Sequence, residues 1–105
     1  MFVVNGIGWH IAYVRPYNPM LMRSDGSYSL GMTDNKKKTV FINDTLRGEM
    51  LERVISHEIV HCFCFSNDIN LDEETEEIVA DFLARYGRKV FDIADSILNK
   101  YIKVA

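Results

Sequence analysis

The segment His57-Glu58-Ile59-Val60-His61 constrains this chain more than any other. Residues four apart on a helix lie one above the other, about one turn apart. Two imidazoles at that spacing reach toward one point, where a Zn²⁺ ion takes a nitrogen from each at roughly 2.0–2.1 Å. Glu58 sits about 100° further round, too far to be a third ligand from the same helix. It can still lean over an open coordination position and take a proton from water there. Five residues thus supply two ligands and a base, the short zinc-hydrolase signature. The chain holds only three histidines, so two of them at this spacing around a glutamate argue against coincidence.

The surroundings strengthen the case. A helix over Leu46–Phe65 carries a polar stripe of Glu49, Glu52, Arg53 and Ser56, which stops at Ser56. Beyond it, Ile59, Val60, Cys62, Phe63, Cys64 and Phe65 are apolar. A helix apolar on all sides is a buried one. Glu58 and both histidines are therefore expected where an unpartnered ionised group costs several kcal/mol. A divalent cation is the simplest partner.

At 105 residues and 48% hydrophobic content, the chain is expected to form a single domain with a genuine core. A net charge of −3 argues against a nucleic-acid surface. Lys36-Lys37-Lys38, the only basic cluster, follows Asp34-Asn35 and reads as a solvated turn. No apolar stretch approaches the roughly 18 residues needed to span a bilayer. Met1–Gly6 lacks the basic start and cleavage site of a secretory leader and is not read as one; with no spanning stretch, no membrane partner is expected. Cys62 and Cys64 are two apart on the helix and point to different sides, which suits unpaired thiols in a reducing, cytoplasmic compartment. Cys64 projects near His57 but lies two turns further on, and buried free cysteine is the commoner case.

Before the motif the pattern is β. Trp9, Ile11 and Tyr13 alternate with His10 and Ala12, and Tyr28, Leu30 and Met32 resume the period of two. Pro16 and Pro19 break regular structure between them. Thr39–Ile42 is a short apolar strand, expected to pair with the preceding one as an antiparallel hairpin. After Asn43 the pattern is helical, with Asn43 or Asp44 as the candidate cap of the motif helix. Asp72 caps a second helix whose buried arc is Ile78, Val79, Phe82, Leu83 and Tyr86, stopped at Gly87. A third helix carries Val90, Ala94, Ile97 and Tyr101 on one face, beside Phe91, Leu98 and Ile102. The fold class expected is α+β: an antiparallel or mixed sheet of three to four strands, followed by three helices.

Two histidines do not complete a catalytic zinc site, which takes a third protein ligand and leaves a position for water. On the second helix, Glu77 and Asp81 are four apart on one face. Glu77 can reach the metal while Asp81 accepts the outer N–H of a ligand histidine and so fixes its tautomer. Ala80 and Ala84 flank Glu77 and would let the two helices approach closely. Glu76 is the competing ligand, but it has no acid four residues on. Strand residue His10 is a weaker one. A solvated acidic face is the plain alternative for this helix.

His57–His61, a short loop and then Glu77-Ile78-Val79-Ala80-Asp81-Phe82 resemble the gluzincin type of zincin metallopeptidases. The compact layout is most similar to the ImmA/IrrE family of phage and mobile-element metallopeptidases, over roughly Thr39 to Ala84. Val60 stands where that family commonly has glycine, and Arg85-Tyr86-Gly87 differs from its usual apolar continuation. The resemblance implies a zincin-like fold and hydrolysis of a peptide or protein substrate, a regulatory protein among the candidates. It also implies that the substrate lies extended along a sheet edge. Zn²⁺ would be held by His57, His61 and Glu77, with Glu58 as general base acting on a metal-activated water. The oxyanion-stabilising group is open among Tyr28, Tyr86, Tyr101 and His10. The other function classes are a zinc-binding protein that sequesters a partner without turnover, and a structural module without metal.

Overall fold

The computed structural model describes the backbone of residues 1–104 and the side chains of residues 1–100. Strands β1 (Phe2–Val4) and β2 (Ile7–Val14) form a hairpin whose two turn residues, Asn5 and Gly6, have φ of 48° and 78°. Asn-Gly is the dipeptide that best tolerates two successive positive φ values, and such turns match the twist of the strands. β1 is the strand that the period-two reading omits. The hairpin of β3 (Gly31–Asp34) and β4 (Thr39–Asn43) is antiparallel as expected, but β3 starts later than the alternation suggests, leaving out Tyr28 and Leu30 and taking in Asp34; β4 pairs in parallel with β2. The sheet is therefore mixed and four-stranded, in the order β1-β2-β4-β3, with β3 at an edge.

Between β2 and β3 the chain makes a single 3₁₀ turn at Pro19–Leu21, capped by Asn18 Oδ1, which accepts from Met20 N at 2.9 Å. That turn packs on β3 and β4 and buries Leu21 completely. Helix α1 (Gly48–Ser66) lies across the sheet, and the core between them contains Val4, Trp9, Val40, Ile42 and Cys62. Neither expected residue caps α1. Asn43 ends β4, and its Oδ1 accepts from Thr45 N and Oγ1 at 2.9 and 2.6 Å. Asp44 instead donates its main-chain N–H to Val14 O. The helix starts after Arg47, with no side-chain cap.

The far end of α1 is tied to the sheet by polar contacts. The Trp9 indole N–H donates to Ser66 Oγ at 2.8 Å, and Asn5 Nδ2 donates to Ser66 O at 3.0 Å. Trp9 is fully buried, so removing the hydroxyl leaves its N–H without an acceptor. Ser66→Ala is expected to lower unfolding stability by about 1–3 kcal/mol in urea titration.

One helix, not two, follows the loop: α2 runs unbroken from Glu73 to Val104 and packs antiparallel to α1. Gly87 does not stop it. A helical glycine costs only about 0.5–1 kcal/mol relative to alanine, and Ala84, Arg85, Arg88 and Lys89 around it are good helix formers. The expected buried arc is also corrected. Ile78, Phe82, Leu83 and Tyr86 are exposed, whereas Ala80 is fully buried and Gly87 is buried. Small residues face α1 because they let acidic side chains on the same surface reach the motif histidines. Val90, Phe91, Ile97 and Leu98 are exposed as well, and Tyr101 and Ile102 fall outside the described side chains. Phe63 and Phe65 on α1 are likewise exposed, so its second half is buried on one side only. Among the described residues no helix is long and apolar enough to cross a membrane.

Candidate metal centre

The antiparallel pairing of α1 and α2 brings the motif against the acidic first turns of α2. His57 Nε2 lies 2.9 Å from Glu77 Oε2, and His61 Nε2 lies 3.0 Å from Glu77 Oε1. One carboxylate thus faces both inner ring nitrogens. The outer nitrogens are also engaged. His57 Nδ1 lies 2.8 Å from Asp81 Oδ1, and His61 Nδ1 lies 2.5 Å from Glu76 Oε2; in the Nδ1–H tautomer each imidazole donates to its carboxylate. In that tautomer both Nε2 lone pairs face Glu77.

Ligand atoms of His57, His61 and Glu77 all lie within 4.8 Å of one another, so the three can hold a metal ion. Two nitrogens and an oxygen on one tetrahedral Zn²⁺ would be about 3.3 Å apart, given bonds of roughly 2.0–2.1 Å. Small rotamer adjustments separate that from the observed spacing. The donor set therefore fits the ion.

Glu76, weighed above only as a rival ligand, engages the outer nitrogen of His61 as Asp81 does that of His57. The signal for it lies in the pairing of the helices. If Asp81 meets His57 across an antiparallel pair, the partner of His61 must sit about one turn earlier on α2. That turn carries both Glu76 and Glu77. His10, by contrast, is exposed on β2, and neither it, Tyr28 nor Tyr86 lines the cleft that opens onto the cluster.

That cleft has a volume of ≈ 650 Å³ and runs between β3, α1 and the start of α2. Glu58 lines it and is nevertheless only 8% exposed. Thr33 Oγ1 lies 2.9 Å from its Oε1, and Glu58 Oε2 is 4.0 Å from His57 Nε2. Burial raises the Glu58 pKa above its ordinary value; the Thr33 hydrogen bond and the two histidines oppose that shift. A raised carboxyl pKa makes the folded state bind protons more tightly than the unfolded chain. Its stabilising contribution is complete below the ordinary value of 4.5 and is lost as pH rises through the folded-state pKa. In chelated, metal-free protein, Glu58→Gln should therefore melt higher than wild type at neutral pH. Thermal scans across a pH series should show that gain shrinking toward pH 4.5.

The cysteines lie outside the cluster. Burial, with the Glu58 charge adding to it, pushes the Cys62 thiol up to about 12, and burial also raises Cys64. A thiol that does not ionise reacts slowly with electrophiles. Cys62→Ser with Cys64→Ser should leave metal stoichiometry unchanged. In the wild type, neither thiol should react with iodoacetamide at neutral pH until denaturant is added.

No protein-family model, no curated protein and no solved structure matches this chain.

Proposed function

We propose that this chain is a zinc-dependent metallopeptidase. The observation that carries the reading is the pair of motif imidazoles, each held at Nδ1 by a carboxylate, with both Nε2 atoms converging on Glu77 beside a buried Glu58. His57, His61 and Glu77 would hold Zn²⁺. When bound, the ion supplies Lewis acidity, lowering the pKa of a water toward neutrality and polarising a carbonyl. Glu58 takes the proton of the attacking water and returns it to the leaving amine. Asp81 and Glu76 keep the two imidazoles in the tautomer that leaves Nε2 available. The zincin-like fold and the likeness to the ImmA/IrrE family belong to the same proposal.

The edge strand supports a peptide as substrate. The bond from Asn43 N to Leu30 O sets the ladder alternation, which turns the main-chain groups of Met32 toward β4 and those of Gly31 and Thr33 toward the open edge. An extended peptide adding there would pass beside Glu58.

One observation favours the second reading, a zinc-binding protein that sequesters a partner without turnover. Among the described residues, the cleft lining contains no tyrosine and no third histidine, and its one cationic side chain is the exposed Arg23. Incubation with a diverse fluorogenic peptide library decides between the two. Cleavage that stops on chelation and returns with added zinc supports the peptidase. Zinc binding without any cleavage supports sequestration.

A further inference from the structure

A general base must present one oxygen to the water while its other oxygen is held. Glu58 shows this division. Its Oε1 faces the Thr33 hydroxyl at 2.9 Å, and its Oε2 stands on the side of His57 Nε2, 4.0 Å away. Thr33 Oγ1 also lies 3.1 Å from the main-chain oxygen of Glu58 and within hydrogen-bond reach of the Cys62 thiol, so its single proton has competing acceptors around the carboxylate. A carboxylate turns readily about its last torsion, which has a broad two-fold profile. Thr33 is the only side chain that donates a hydrogen bond to this carboxylate among the described residues.

The stem of Glu58 is gripped from the same strand. Gly31 is two residues before Thr33 on β3 and shares its face. A Cβ built on Gly31 would come within 2.9 Å of Glu58 Cγ and 2.8 Å of Val54 Cγ1. The strand thus approaches the glutamate as closely as a bare backbone permits. One residue gives the stem room, and the next on that face holds the head.

We propose that Thr33 is a positioning residue for Glu58, holding Oε1 so that Oε2 is the atom that exchanges the proton. The assignment rests on the peptidase reading above. It adds a coupling: the main chain of Thr33 lies on the edge where the substrate would pair, and its side chain holds the base. A docked peptide would then stiffen the residue that aims Glu58.

The test uses the full-length chain with zinc bound and a peptide that the wild type cleaves. Thr33→Val removes the donor and keeps the β-branched shape. It should lower kcat by about 10–100-fold, the scale of a 1 Å misplacement of a reacting group. KM and zinc content should stay within about threefold of wild type, and Thr33→Ser should recover most of the loss because it restores the hydroxyl. In a Glu58→Gln background, Thr33→Val should cost nothing further, since no carboxylate remains to be aimed. Wild-type kcat in Thr33→Val would overturn the assignment, as would a Thr33→Ser variant no better than the valine. Additive losses in the Glu58→Gln background would overturn it too, by assigning the effect to the strand. If Thr33→Val fails to fold, the serine variant and Thr33→Ala carry the same comparison. A wild type that cleaves no peptide rejects the peptidase reading itself, and this assignment with it.

Discussion

Glu58→Gln should keep its zinc and lose peptide hydrolysis by about 10²–10⁴-fold, the usual worth of a general base. The amide retains the length and the acceptor oxygen that faces Thr33, so the fold around it is preserved. It cannot take a proton from water. Glu58 is not in the group of side chains that can share an ion, and its nearer oxygen is 4.0 Å from His57 Nε2. Loss of activity without loss of metal is therefore the expected signature. His57→Ala should instead lose both. Kinetics on a competent peptide, with metal content measured on the same samples, separate the two outcomes. An unchanged rate in Glu58→Gln would reject the proton-transfer role.

The second large effect concerns the two adjacent glutamates. Glu77→Ala should weaken zinc binding by well over 100-fold, because its carboxylate faces both Nε2 atoms. Glu76→Ala and Asp81→Ala should each cost about 10–100-fold, the range for a group that orients a ligand histidine from behind. Glu76 is the better shielded of the two, with a side chain 18% exposed against 65% for Asp81. Solvent screening should therefore make Asp81→Ala the milder change. Competition titration against a chromophoric chelator gives all three affinities. Equal losses at Glu76 and Glu77 would remove the distinction between ligand and support.

What the sequence makes legible follows from the range of the physics involved. The motif is local: its spacing on a helix fixes where two imidazoles point, and the structure brings them together. The β3–β4 hairpin is local as well, joined by the turn at residues 35–38. The parallel pairing of β2 with β4 is not, because the strands are separated by a long connection and no residue pattern states the register. The Asn5-Gly6 turn is a strong local signal for β1 that the alternation of side chains does not capture. On α2, reading the apolar arc as the buried one fails for a physical reason. The helix packs through Ala80 so that Glu76, Glu77 and Asp81 reach the histidines, and that requirement leaves Ile78 and Phe82 facing outward. Glu77 and Asp81 are readable from their spacing. Glu76 is not, because its partner is set by the antiparallel pairing and not by its neighbours in sequence.

The measurement closest to the central claim is a zinc titration of the purified, chelator-stripped chain, followed by calorimetry at neutral pH alongside His57→Ala and Glu77→Ala. The expected result is one tight site per chain in the wild type and loss of that site in both variants, with circular dichroism showing each still folded. No saturable zinc binding by the wild type would contradict the metal assignment, as would a site that survives in both variants.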